Sequence, residues 1–148
     1  MILPIITYPN IILRQKAKKV KDPKSKEIKS LILDMLETLE KVNGLGLAAP
    51  QVGVSVQLCV VKNERGSGSK THILINPKIV RKSWGKEVCE EGCLSFPGKF
   101  IPIKRCKKVT VKALDKKGEK ITIKAEGLLS RAMQHEIDHL DGVLFIDR

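Results

Sequence analysis

The spacing of apolar residues along the chain switches between helical steps of three or four and strand-like steps of two. Each switch predicts an element. Over residues 23–43, Ile28, Leu31, Ile32, Met35, Leu36, Leu39 and Val42 recur at helical spacing. Asp22-Pro23 or Ser25 starts this helix and Asn43-Gly44 stops it. Lys24, Lys26 and Lys29 near its start and Glu37 and Glu40 near its end oppose the helix dipole, so packing must supply its stability. Val56 to Lys62, rich in branched residues, reads as a strand. His72 to Val80 reads as a second strand, broken at Asn76-Pro77, and the polar stretch Glu64 to Lys70 loops between the two. Val109, Val111 and Ala113 alternate with polar residues, as do Ile121, Ile123 and Ala125. Asp115-Lys116-Lys117-Gly118 turns one run into the other as a hairpin. A second amphipathic helix covers Leu128 to Leu140 and stops at Asp141-Gly142. Met1 to Ile6 forms an opening strand or arm. Helix, strands, then helix predicts an α+β fold, with mostly antiparallel sheets packed around the closing helix.

Length and composition narrow the class. The 148 residues predict a single domain spanning 1–148. Aromatics make up only 3% of the chain, so the core falls to Leu, Ile and Val. No apolar run approaches the roughly 20 residues that span a bilayer. The first residues lack the basic lead-in and long apolar core of a signal peptide, so a cytoplasmic location is expected and no membrane partner is. The net charge of +12 attracts polyanions, a ribosome surface among them. The charge is dispersed, however, with no Arg-rich tract and no interleaved aromatics, so sequence-specific nucleic-acid recognition is not expected. Trp84 reads as a packing residue in a hairpin, Cys59 as a buried small hydrophobe, and Cys106 as the opening of a strand.

The chemistry concentrates in His135-Glu136-Ile137-Asp138-His139, which holds two of the three histidines in the chain. Four-residue spacing on a helix puts both imidazoles on one face, where they can hold one metal ion, and Glu136 is placed to move protons for a water activated there. A hydrolytic site needs a third protein ligand and an open position. The familiar downstream histidine is replaced by Phe145, and Asp141 and Asp147 lie too close, so the third ligand must come from upstream. Cys93, flanked by Gly92, is the best source, because a thiolate with two imidazoles suits Zn²⁺ or Fe²⁺, and Pro97-Gly98 is expected to turn the chain after it. A closed structural zinc site of Cys89, Cys93 and both histidines is the rival, and it leaves Glu136 without a task. His72 reads as a strand or surface histidine, and Asp138 as pointing away from the metal to orient a basic residue.

Three segments together resemble the signature motifs of the peptide deformylases. They are Gly44-Leu45-Gly46-Leu47-Ala48-Ala49-Pro50-Gln51, Glu91-Gly92-Cys93-Leu94-Ser95 and Gln134-His135-Glu136-Ile137-Asp138-His139, and Pro9 to Arg14 is similar too. The resemblance implies hydrolysis of the formyl group from N-formylmethionine on nascent polypeptides. It implies Cys93, His135 and His139 as metal ligands, with Fe²⁺ the native ion and Zn²⁺ or Ni²⁺ able to replace it. It implies Glu136 as general acid and base, Gln51 and the Leu94 N–H as donors to the formyl oxygen, Gly46 close to the reacting group, and backbone around Leu45 and Gly92 pairing with substrate. Leu94, Leu128, Leu129 and the Ile101 region are candidates for the methionine pocket.

The chain departs from many bacterial members by ending nine residues after His139, a compact form without the C-terminal extension that helps some of them dock on the ribosome. Where a basic residue often follows the Cys motif, this chain has Gly98-Lys99-Phe100-Ile101, and Lys99 is the candidate substitute. Two alternatives stay open on the residues alone. One is another amidohydrolase or peptidase with a Cys-His-His site, and the other is a basic ribosome- or RNA-binding protein with a structural metal.

Overall fold

A computed structural model describes residues 1–63 and 70–148 of the chain. The chain order is α1 (Lys26–Val42), β1 (Gly46–Ala48), β2 (Leu58–Asn63), β3 (Lys70–Lys82), β4 (Lys86–Cys93), β5 (Phe96–Cys106), β6 (Lys108–Leu114), β7 (Lys120–Glu126) and α2 (Gly127–Leu140). Five strands form one antiparallel sheet in the order β1-β2-β3-β6-β7, and β4 and β5 pair as a separate two-stranded sheet. This is the expected α+β architecture.

The two helices lie on opposite faces of the larger sheet, and β2 shows why. Leu58 and Val60 pack with Ile32, Met35 and Leu39 of α1, while Cys59 and Val61 pack with Met133, Ile137 and Leu140 of α2. Alternation along a strand thus serves two cores at once. A third cluster (Leu13, Phe96, Ile103, Leu144 and Phe145) closes over the other side of α2. From Ser130 to Leu140 every residue of α2 is buried.

Ser25, not Asp22-Pro23, caps α1, its Oγ accepting from the Ile28 N–H at 3.3 Å, and Asn43 ends the helix in the left-handed region at φ 53°. Burying Ile32, Met35 and Leu39 contributes about 2 kcal/mol each. That exceeds the roughly 0.3–1 kcal/mol cost of an ill-placed charge, and Glu27 in the first turn and Lys41 in the last offset part of it. The N-terminal segment is an arm, tied down by the Ile6 N–H to Gln51 O (2.6 Å) and the Tyr8 N–H to Ser95 O (2.9 Å).

Four expectations change. The predicted break at Asn76-Pro77 is a bulge inside one continuous strand, with the register shifting between Ile75 and Lys78. Asn76 takes φ 50° there, and its side-chain amide exchanges hydrogen bonds with the Val20 backbone at 2.8 and 3.0 Å. Cys106 ends β5 instead of opening a strand. Pro97-Gly98 lies within β5, because the turn comes earlier, at Leu94-Ser95. Trp84 is not a packing residue among the described residues: it is 101% exposed at the turn between β3 and β4. Most of the predicted polar loop, residues 64–69, lies outside the described residues.

The segment after α2 is seated by Gly142, which has φ +75°, and a Cβ there would stand 2.5 Å from the Arg14 carbonyl oxygen. Gly142→Ala is therefore expected to destabilise the protein by about 2 kcal/mol or more, read as a lower midpoint in urea unfolding.

Candidate active site

A cleft of about 660 Å³ opens between the two sheets, and α2 supplies its floor. One wall is Leu45 and Gly46 at the free edge of β1, which pairs only with β2. The opposite wall is Gly92 and Cys93 at the end of β4, with Leu94 at the turn that follows.

Cys93, His135 and His139 meet at the inner end of this cleft, their candidate ligand atoms all within 4.8 Å of one another. Cys93 Sγ lies 3.3 Å from His139 Nε2. The helix brings the two imidazole rings to 5.0 Å between centroids. Phe145, at the position a downstream histidine ligand would occupy, instead packs edge-on against His135 at 5.8 Å. Cys89 stands apart, its thiol donating to Glu87 Oε1 at 3.1 Å, so the closed four-ligand zinc site is not formed. A thiol and two imidazoles in this cluster fit a borderline-soft divalent ion.

Behind the ligands sits Glu91, a buried carboxylate with three cationic partners. Its Oε1 is 2.9 Å from His135 Nδ1, and both oxygens accept from Arg105, at 2.9 and 3.0 Å. Arg131 donates to the same carboxylate. Arg105 also pairs with Asp138 at 2.6 Å, and Arg148 with Asp138 at 2.7 Å. Burial raises the pKa of Glu91, but the hydrogen bonds and charges of His135 and Arg105 outweigh it and hold the carboxyl down to about 2. The Glu91 bond to Nδ1 turns His135 Nε2 toward the cluster and raises its basicity as a ligand. Burial also lowers the pKa of His135, yet Cys93 and Glu91 hold it at about 10. His139 is driven well below its ordinary value by burial and by the neighbouring His135 and Arg105 charges.

Glu136 projects into the cleft toward Gly46, and its carboxyl is pushed up to about 7, burial outweighing the nearby His135 and Arg105 charges. Among the described residues its Oε1 is buried without a hydrogen-bond partner. A buried carboxylate oxygen left unpaired is costly, and such an atom is free to take a proton from a reacting group. Gly46 makes room for it, since a Cβ there would lie 2.7 Å from Glu136 Oε2. Gln51 is aimed from the other side. Its Oε1 accepts from the Ala48 N–H at 2.9 Å, which leaves Nε2 pointing to Ser95 Oγ (3.1 Å) and Cys93 Sγ (3.8 Å).

The residues expected to hold the metal, move protons, donate to the formyl oxygen or pair with substrate backbone lie together at one cleft: Leu45, Gly46, Gln51, Gly92, Cys93, Leu94, His135, Glu136 and, just beneath, His139. Leu94 and Leu128 line it, whereas Leu129 packs into the core beside α2 and Ile101 against the Phe96 cluster. Lys99 does not line the cleft. Phe100 does, 64% exposed, with its ring over Gly92. Ile5, Val42, Arg131 and Ala132 complete the walls and were not foreseen. Val42 and Ala132 read as ordinary core positions in their helices. Ile5 comes from the arm, which carries no periodicity. His72 lies half-buried in β3 away from the cluster, and Asp138 does turn to basic partners.

Two helix-borne imidazoles, a thiol, a high-pKa carboxylate on the same helix and the Gln51 amide opposite define a metal-dependent hydrolase. The family model for polypeptide deformylase matches residues 2–148. A peptide deformylase of Clostridium perfringens is 51% identical over 136 residues, covering 92% of this chain and 90% of that protein. One from Halothermothrix orenii is 49% identical, covering 99% and 94%. The crystal structure of the Thermotoga maritima peptide deformylase superposes with a TM-score of 0.91 at 41% identity, covering 100% of this chain and 97% of that one. The chain belongs to the polypeptide deformylase family, and it is a metal-dependent hydrolase that removes the formyl group from N-formylmethionine of nascent polypeptides.

The Glu91 network generates a prediction in two parts. Glu91→Gln removes the anion that orients His135 and is expected to weaken divalent-metal affinity about 10- to 100-fold, measured by chelator competition. With the folded pKa depressed, the Glu91 carboxylate contributes its full stability above about pH 4.5 and loses it as pH falls toward about 2. Acid unfolding of metal-free Glu91→Gln should accordingly show a flatter pH dependence across that window than the parent chain.

Proposed function

We propose that Cys93, His135 and His139 hold the divalent ion and that Fe²⁺ is the native one, with Zn²⁺ and Ni²⁺ able to take the same donors. The thiol and paired imidazoles support this, since they suit all three ions. When bound, such an ion supplies a water activated at neutral pH and polarises the formyl oxygen. The chain's own residues do the rest. Substrate backbone pairs with the β1 edge at Leu45 and Gly46 and with the β4 end at Gly92, in the manner of strand addition. The methionine side chain enters the apolar part of the cleft, past Leu94 and Leu128. Gln51 Nε2 and the Leu94 N–H donate to the oxyanion that develops on the formyl oxygen, each worth about 3 kcal/mol in such a role. Glu136 takes the proton of the attacking water and passes one to the departing amine, a task for which a carboxyl pushed up to about 7 is suited.

The observation that carries the reading is the buried Glu136 carboxyl, its Oε1 unpaired among the described residues and its Oε2 set against Gly46, in the same cleft as the Cys93, His135 and His139 cluster. In this proposal residues 1–148 act as one catalytic domain in the cytoplasm, and the net charge of +12 draws it to the ribosome surface. No helix among the described residues is long and apolar enough to cross a membrane.

Glu136→Gln is expected to retain its metal but to lower kcat about 10²- to 10⁴-fold, read by turnover of formyl-Met-Ala-Ser beside metal analysis of the same anaerobic preparation. Unchanged turnover would remove Glu136 from the reaction, and a preparation without iron would overturn Fe²⁺ as the native ion. Gln51→Leu should cost about 10²-fold in kcat through the lost donor, with little change in metal content.

A further inference from the structure

Trp84 is the only tryptophan in the chain and is fully exposed, at 101%. An indole brings a large apolar face to any contact, yet this one is left open to solvent among the described residues. The turn that carries it is rigid. The Ser83 N–H donates to Lys108 O at 2.9 Å and the Lys107 N–H to Gly85 O at 3.0 Å, so the β3–β4 and β5–β6 turns are stitched together. Ser83 Oγ adds bonds to Gly85 O (2.9 Å) and from the Lys108 N–H (3.1 Å).

The stitching also gathers charge. Residues 81–87 and 107–108 contain Arg81, Lys82, Lys86, Lys107 and Lys108, all exposed, against one carboxylate, Glu87, which already accepts from Cys89. The Lys107 stem lies alongside Gly85, its Cδ 3.5 Å from where a Cβ would stand. Glu126 faces Lys108 only at 3.9 Å. In the sequence Trp84 already sits among Arg81, Lys82 and Lys86, and the fold adds Lys107 and Lys108 by stitching the β5–β6 turn to the turn that carries it.

We propose that this corner is a docking site for single-stranded RNA, with Trp84 stacking on one unpaired base and Lys82, Lys86, Lys107 and Lys108 contacting the phosphates around it. An aromatic platform within a cationic rim is the arrangement that holds single strands without reading their sequence. The immediate neighbours of Trp84 are Lys82, Ser83, Gly85 and Lys86, which offer no apolar surround for seating a protein partner. The occupant is RNA because the substrate is a nascent polypeptide, made on a particle built largely of RNA. β4 runs from the corner to Cys93, about 23 Å at about 3.3 Å per residue. RNA bound at the corner therefore leaves the cleft open.

The lone tryptophan is its own reporter. Titration of the metal-loaded full chain with a 12-nucleotide oligoadenylate at low salt is expected to quench its emission. Trp84→Ala should bind labelled oligoadenylate about tenfold more weakly. Lys82→Ala, Lys86→Ala and Lys107→Ala combined should reduce the log–log salt slope by about 2. Both variants should turn over formyl-Met-Ala-Ser at the parent rate. Binding without quenching, or equal affinity for Trp84→Ala, would reduce the corner to diffuse charge attraction and overturn the proposal. A blue shift on phosphatidylglycerol vesicles with no response to RNA would overturn it in favour of a membrane surface.

Discussion

The Glu91 carboxylate is the fixed point around which the site is built. It lies on β4 but bonds to Arg105 on β5 and to Arg131 and His135 on α2, so one side chain joins the small sheet to the central helix. A buried carboxylate among buried guanidinium groups is expensive to desolvate. The bidentate geometry and the third and fourth contacts offset that cost by satisfying both oxygens. The consequence is positional. Cys93 follows Glu91 by two residues, so fixing the carboxylate against α2 also fixes the thiol against the two imidazoles.

The same arrangement separates the roles of the acids on α2. Asp138 is turned to Arg105 and Arg148 and is fully engaged in ion pairs. Glu136, two residues earlier on the helix, faces the cleft, and its Oε1 has no partner among the described residues. Two carboxylates on one helix thus have opposite environments, one paired with cations and one held near neutrality by burial. That contrast is how a protein assigns acid–base work to one group and structure to another. Gly46 completes it from across the cleft, because any larger residue there would press on the Glu136 carboxylate.

Both helices and the β6–β7 hairpin were legible because their apolar residues keep a single period over a whole element. The histidine pair was legible because four-residue spacing on a helix is local, while Cys93 was reached only by asking where a third donor could come from, and the fold brings the three together. Glu91 was read only as part of a motif. In sequence Glu90 and Glu91 look alike, and only the pleat of β4 buries one and exposes the other. The β4–β5 sheet was also hidden. Val88, Phe100 and Trp84 are exposed on or beside it while Phe96 and Ile103 are buried, so its apolar residues keep no single period that marks a core face. For the same reason Phe100, not Lys99, at the cleft rim, and the exposure of Trp84, required the fold.

Placing the cleft between two strand edges creates a hazard that this architecture contains. An unpaired strand edge recruits other chains. Here β1 has only three residues, follows directly from Gly44 and Leu45, and runs straight into the 3₁₀ turn Ala49–Val52. Such an edge offers too few backbone groups to propagate a sheet. In the proposed binding mode it offers enough to align a short extended peptide while Gly92 holds the other side. Weak backbone pairing then fixes register but contributes little selectivity. Discrimination for a formylated methionine must come from the apolar wall at one end of the cleft and the Gln51, Glu136 and metal-ligand cluster at its base. The edge can therefore accept varied downstream sequence, as an enzyme acting on many nascent chains requires.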